Sequence, residues 1–491
     1  MKNVFLSLLI LVGFSTSTFA QKKKVEKRFD RDEAEAHLTY LASDELMGRD
    51  PARPEMQLAI DYISGELEKY GVMQVPGADG YAQIIPFNLS SPPKSGNLKM
   101  GPETYSQKES MLVLDGKSLS GSFELVDLGY GLEEDYEGKE VKGKVVVTNL
   151  GAPDQMSPAA LMALGRKKTA LAAENGAIAL IEMYNIPSIP WPLIANYLSS
   201  DQLSLDQGSK SDLPYLWVKD LKSEMKNSVA KGDVKKADLD IQGKIQKPIE
   251  GQNILGWIEG TDKNLKDEFI MLSAHYDHVG VGNPDAEGDT IYNGARDNAV
   301  GTVSVLNAAK YFAKRPPKRS VLFALWTAEE KGLLGSAYFA ENPLIPLDKI
   351  IYNLNIDGAG YNDTSIITVI GLTRTSEQEK LAEAAKAFGL EAIEDQAPEQ
   401  GLFDRSDNVS FAKKGIPAPT FSLGFTAFDD EISKYYHKAA DEVDSMDMDY
   451  VVKYWKAYIL AAESIANTQI QPFWLSGDKY EEVGKELYGL E

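Results

Sequence analysis

The sequence predicts an α/β protein with a mixed, largely parallel sheet flanked by helices, into which a β-rich domain is inserted. Three observations predict this. From about 250 to 470, short apolar runs of strand length alternate with helical stretches, as they do when helices form the crossovers of a parallel sheet. Between 96 and 245 the texture changes to short strand-like runs separated by frequent turn residues, with no histidine. The chain also has 491 residues, more than one compact domain usually needs.

Residues 1–20 read as a secretory leader, with Lys2, an apolar stretch over 4–14 and small residues around Thr18-Phe19-Ala20,. The stretch is short for a bilayer span; an uncleaved anchor is the alternative. The expected product is an exported protein, periplasmic or secreted and bacterial, without stable membrane association once the leader is removed. In 21–95, Asp30 or Asp32 caps a helix carrying Ala36, Leu38, Tyr40 and Leu41, and a second helix runs through Leu58, Ile60, Ile63 and Leu67,. In 96–245, strands are expected at 123–126, 145–147 and 177–182, with a helix over 168–175,. In 246–470, strands fall at 269–272, 321–325, 350–356 and 366–370, and helices at 302–313 and 376–388. A tail, 471–491, closes the chain.

Composition narrows the function. Hydrophobic residues make up 43% and charged residues 25%, as in ordinary globular proteins. The 51 Lys+Arg against 73 Asp+Glu leave a net charge of −22, which repels nucleic acid and anionic membrane alike. No cysteine is present, so disulfides, thiolate metal sites and cysteine nucleophiles are excluded. Imidazole chemistry has four places to live: His37, His275, His278 and His437.

Polar residues recur at the C-terminal ends of the apolar runs. Ser273-Ala274 leads into His275-Tyr276-Asp277-His278, Thr327-Ala328 into Glu329-Glu330, and Asn355-Ile356 into Asp357. Open α/β sheets bind ligands outside those strand ends, so these segments should converge on one crevice. Gly294-Ala295-Arg296-Asp297-Asn298 precedes a helix, and Tyr435-Tyr436-His437 follows further on. Histidines and carboxylates without thiolate suit a pair of zinc ions or similar divalent cations. Singly, each element is ordinary: Asp297 could be a helix cap, and paired glutamates commonly offset a helix dipole. Together they hold three of the four histidines in an order compatible with one site.

These segments resemble the bimetallic zinc aminopeptidases, the family that includes aminopeptidase Y, glutamate carboxypeptidase II, glutaminyl cyclase and the transferrin receptor. The resemblance rests on Ser273-Ala274-His275-Tyr276-Asp277, the Gly-Ala-x-Asp-Asn-Ala-x-Gly of 294–301, the block from Ala328-Glu329-Glu330 to Gly335-Ser336, Asn355-Ile356-Asp357 and Tyr436-His437. It extends more loosely to the run from Leu41 to Arg49, while 96–245 is similar to the protease-associated domain many members insert, notably over 141–147 and 172–181. It implies the zinc-aminopeptidase (phosphorylase/hydrolase-like) fold and two Zn²⁺, with Mn²⁺ or Co²⁺ as possible substitutes. His275 and Asp357 would hold one ion, Glu330 and His437 the other, and Asp297 would bridge both. Glu329 would be the general base, and Asp277 and Asp441 would orient the imidazoles. Tyr436 would either donate to the oxyanion or pack beneath the site. His278 has no counterpart among the ligands and is expected in a surrounding shell or on a loop. Asn408 stands where histidine is common in the family's Ser-Asp-His segment, beside Arg405-Ser406-Asp407. The acidic loop of Asp285, Glu287 and Asp289 is either a solvated turn or a calcium site.

The leading expectation is therefore a zinc-dependent aminopeptidase acting on peptides through a metal-bridging hydroxide. The alternatives are a glutaminyl-cyclase-like transferase, a carboxypeptidase or dipeptidase of the same family, and a non-catalytic binding protein.

Overall fold

A computed structural model describes residues 20–153, 158–205 and 212–490. The leader expected at 1–20 lies, apart from Ala20, outside the described residues. No helix among the described residues is long and apolar enough to cross a membrane. The chain forms two compact units, one made of the segments up to Pro86 and from Glu250 onward, the other of Phe87–Ile249.

The first unit is a mixed α/β sheet between helices, as the alternation predicts. At its centre, β1 (Phe269–His275) lies parallel to both β2 (Ser320–Trp326) and β3 (Ile350–Ile356). Beyond β3 come β6 (Thr420–Leu423), parallel to it, then β4 (Ile366–Ile370), antiparallel to β6, and β5 (Glu391–Glu394), parallel to β4. Residues 254–258 pair antiparallel with β2 on the other side.

The twofold repeat of a strand decides which residues meet which layer. Ile270, Leu272 and Ala274 share a core with the helices Arg31–Leu41, Met56–Tyr70, Val300–Ala313 and Met448–Ala466. Met271, between them in sequence, faces the opposite core with Trp326, Phe339, Phe411 and Trp474. A strand buried on both faces reads as a continuous apolar run, which is why these strands were visible in the sequence. Asp30 does cap the first of those helices, its carboxylate accepting from the Glu33 amide at 3.3 Å. The segment after 470 is anchored to the same unit: the Trp474 indole donates to the Gly415 carbonyl at 2.8 Å and the Tyr488 hydroxyl to that of Ile350 at 2.7 Å.

The second unit holds an eight-stranded sheet among its described residues. Four adjacent strands, Leu119–Asp127, Val145–Asn149, Ala179–Tyr184 and Tyr215–Lys219, run parallel, and the helix Pro158–Glu174 lies between the second and third in sequence. On one side the strand residues Val146 and Leu180 pack with Leu161 and Ala172 of that helix. Within this core Lys168 is fully buried, its ammonium donating to Glu182 at 2.6 Å and to the Asn149 carbonyl at 3.0 Å.

Candidate metal centre

The parallel register of β1, β2 and β3 sets His275 beside Trp326 and Ala274 beside Ile356. Three polar segments consequently emerge at one edge of the sheet: His275–His278, Thr327–Glu330 and Asp357. Ala328 takes a left-handed turn, φ 56°, immediately before the two glutamates. The Asp277 carboxylate fixes that turn, accepting the backbone N–H groups of Glu329 at 3.0 Å and Glu330 at 3.3 Å.

Asp297 arrives on the loop that leads into Val300–Ala313. The Asn298 side chain ties this loop to the end of β3, donating to the Ile356 carbonyl at 2.9 Å. Gly294 opens it at φ 59°, where a Cβ would lie 2.2 Å from the Asp297 carbonyl oxygen and 2.6 Å from the His278 ring; no larger residue fits. His437 follows the short helix Asp430–Tyr435, also in a left-handed conformation (φ 53°), its ring stacked on Tyr436 with centroids 3.9 Å apart.

These segments bring the five expected ligands together. His275 Nε2 lies 3.2 Å from Asp357 Oδ1 and 3.4 Å from Asp297 Oδ1. His437 Nε2 lies 3.2 Å from Asp297 Oδ2 and 3.1 Å from Glu330 Oε2. The two oxygens of Asp297 thus face the two imidazoles separately. His275 and Asp297 are buried and His437 is one-third exposed, so the site opens on the His437 side.

The donor chemistry fits a pair of cations. His275 Nδ1 sits 3.1 Å from the Asp277 carbonyl oxygen, an acceptor only, so Nδ1 carries the proton and the Nε2 lone pair faces two carboxylates. Acceptor against acceptor is repulsive unless a cation stands between them. Without metal, that cation is a proton. Burial lowers the His437 pKa, but Asp297 and Glu330 outweigh it and raise the imidazole to about 10. Burial raises both carboxyls, but hydrogen bonds to His275 and His437 hold Asp297 well below the usual carboxylate range, and those to His278 and His437 hold Glu330 down at about 2. Two groups of potential ligand atoms result, His275–Asp297–Asp357 and His278–Asp297–Glu330–His437, each with its atoms within 4.8 Å of one another.

Other expectations meet a different arrangement. Asp441 does not orient the His437 ring. Its carboxylate accepts from the Arg296 guanidinium at 3.0 Å and from the amides of Arg296 and Asp297, the latter at 3.2 Å, and so fixes the loop that carries Asp297. The residues between His437 and Asp441 form turns, so a spacing of four does not bring the two side chains together as it would in a helix. For His275, the main-chain carbonyl of Asp277 supplies the orienting bond; the Asp277 carboxylate lies 3.8 Å from Nδ1. His278, expected in a surrounding shell or on a loop, is fully buried with Nδ1 2.8 Å from Glu330 Oε1, which is the first of those two arrangements. Its only sequence signal was a His-x-x-His spacing.

Glu329 and Tyr436 line a cavity beside the imidazoles, with Arg405 and apolar side chains that include Ile370, Leu402, Phe425 and Phe428. Burial pushes the Glu329 carboxyl well above its ordinary range, against the opposing pull of His275. The Tyr436 hydroxyl is 3.4 Å from Arg405 Nη2. Asn408, the residue that departs from the family pattern, is buried and donates to the carbonyls of Phe403 and Ala418 at 3.1 and 3.2 Å. In the acidic loop, Asp285 Oδ1 accepts from the amides of Glu287 and Asp289 at 3.0 and 2.9 Å, as a self-satisfied turn does.

Two groups of potential metal ligands that share the Asp297 carboxylate thus lie beside the strand ends of a mixed α/β sheet, where open α/β sheets bind their ligands. Residues 253–461 of the chain match the model of peptidase family M28. Over 92% of its length the fold is similar to that of an aminopeptidase from Aneurinibacillus sp. strain AM-1, with 97% of that chain covered, TM-score 0.58 and 21% identity. A zinc aminopeptidase from Bacillus subtilis, BSAP, is similar over 91% of this chain and 98% of its own, with TM-score 0.50 and 20% identity. In sequence, the chain is 26% identical over 326 residues to aminopeptidase YwaD of Bacillus subtilis, covering 65% of this chain and 62% of that protein. It is 38% identical over 112 residues to a vacuolar membrane protease of Saccharomyces cerevisiae, which is 23% of this chain and 10% of the relative. The match thus spans about a tenth of the yeast protein's length and under two thirds of the Bacillus one.

Proposed function

We propose that this protein is an exported zinc-dependent aminopeptidase that removes N-terminal residues from peptides. The observation that carries the reading is Asp297, whose two oxygens face His275 and His437 at 3.4 and 3.2 Å. His275 and Asp357 hold one ion, Glu330 and His437 the other, and Asp297 serves both. When bound, two Zn²⁺ supply Lewis acidity that activates a water and polarises the scissile carbonyl.

The chain's own groups perform the rest. Glu329 takes a proton from the attacking water and returns it to the departing amine. Nearby cations favour its ionised form, which burial alone disfavours. The Arg405 guanidinium donates toward the Tyr436 oxygen, leaving the phenol hydrogen free to point into the cavity at the oxyanion. Ile370, Leu402, Phe425 and Phe428 receive the substrate's side chain. The Phe87–Ile249 unit is a protease-associated domain in this reading. Tyr436→Phe is expected to lower kcat about 10²–10³-fold with zinc content unchanged, checked by steady-state kinetics and elemental analysis. Unaltered kcat would assign Tyr436 to packing.

Arg405 in the cavity wall supports a second reading, a carboxypeptidase or dipeptidase in which this cation holds a C-terminal carboxylate. One experiment separates them: peptides blocked at either terminus, followed by mass spectrometry. An aminopeptidase cleaves the C-terminally amidated peptide and spares the N-acetylated one; the opposite pattern selects the carboxypeptidase. Loss of ammonia from an N-terminal glutamine peptide without shortening would indicate a glutaminyl cyclase. Chelator should abolish cleavage and added zinc restore it, and cleavage indifferent to chelator would contradict a metal mechanism.

A further inference from the structure

Arg49 is 1% exposed, and its hydrogen-bond partners are backbone carbonyls drawn from three separate stretches of chain. Nε donates to the Tyr276 carbonyl at 2.8 Å, Nη2 to that of Gly294 at 3.0 Å, and Nη1 to those of Asn293, at 2.6 Å, and Leu41. Tyr276 follows His275, and Gly294 lies three residues before Asp297. The main chain adds to this grip, since the His278 amide donates to the Arg49 carbonyl at 3.2 Å.

Met47, Gly48 and Arg49 are all left-handed, with φ of 47°, 68° and 50°. Two of them are not glycine, so the segment stores strain that the surroundings must hold in place. Gly48 lets it pass: a Cβ there would lie 2.5 Å from the Gly280 oxygen and 2.6 Å from that of Tyr292. Asp44, at the start of the same segment, accepts from the Asn293 side chain at 2.7 Å.

A cation is an odd choice beside a centre built to receive two dications, because its charge repels them. Its fork is what the position uses, since five N–H donors in a fixed plane can reach carbonyls that a lysine's single nitrogen cannot. We propose that Arg49 is a positioning residue, a clasp that holds the His275 loop and the Asp297 loop at the spacing the metal pair requires before any metal binds.

The inference rests on the proposed dinuclear reading, and its test separates the two. Zinc affinity is measured by competition with a chromophoric chelator for the wild-type protein, Arg49→Lys and Arg49→Met, each checked for folding by circular dichroism. Wild-type protein that binds no zinc would sink the dinuclear reading itself. If it does bind, the clasp predicts 10–100-fold weaker zinc affinity in both variants, as for other supporting groups around metal ligands. A purely electrostatic role predicts the opposite sign for Arg49→Met, because a repulsive charge has gone. Tighter zinc in Arg49→Met, or wild-type affinity in a folded Arg49→Lys, would overturn the proposal. Should neither variant fold, hydrogen exchange on metal-free wild-type protein decides. The clasp predicts a His278 amide that stays protected without zinc, and loss of its protection on metal removal would overturn it.

Discussion

Asp297→Asn is expected to reduce bound zinc from two ions to at most one and to cost at least about 10³-fold in kcat/KM. The amide keeps the shape of the carboxylate but removes its charge and turns one oxygen into a donor. That donor would point at either His275 Nε2 or His437 Nε2, which Asp297 faces at 3.4 and 3.2 Å. One half of the site then meets an N–H group where it needs an anion. Lewis-acid stabilisation is worth several kcal/mol, and about 4 kcal/mol corresponds to the stated rate loss. The loop itself should survive, because Asp441 holds it through the amides of Arg296 and Asp297 and through the Arg296 side chain. Elemental analysis and kinetics on the folded variant check both parts. Two zinc ions and near-normal activity would remove Asp297 from its bridging role.

Glu329→Gln should behave differently, keeping two zinc ions and a normal fold while losing roughly 10²–10⁴ in kcat, the usual worth of a general base. The contrast follows from neighbouring residues held by one anchor. Asp277 grips the amides of both Glu329 and Glu330, so the turn keeps its shape whichever side chain follows. Glu330 turns its oxygens to His278 and His437, whereas Glu329 lines the cavity. Glutamine at 329 preserves size and burial but cannot accept a proton. Zinc loss in this variant would make Glu329 a ligand, and full activity would leave it without a chemical role.

What the sequence disclosed depended on how local the signal was. Strands buried on both faces announce themselves as apolar runs, and polar residues at their ends mark a crevice by topology alone; His275, Glu329, Glu330 and Asp357 were legible that way. Asp297 and His437 sit in loops far along the chain, and only motif resemblance tied them to the rest. The error over Asp441 has a plain cause. Four residues separate it from His437, but His437 is left-handed and the stretch between them turns, so the helical spacing rule does not apply. For His278 the sequence left a surrounding shell and a loop both open, because neither its Glu330 partner nor the Gly294 backbone beside its ring is near it in sequence. Arg49 was the least visible, since an arginine in a loop gives no periodic signal, and its four carbonyl partners come from Leu41, Tyr276, Asn293 and Gly294.

The central claim is that His275, Asp297, Glu330, Asp357 and His437 hold a pair of divalent ions sharing the Asp297 carboxylate. Anomalous diffraction at the zinc edge from crystals of zinc-loaded protein tests it most directly. Two peaks about 3.5–4 Å apart, one beside each Asp297 oxygen, are the predicted result. A single peak, or peaks remote from Asp297, would contradict it.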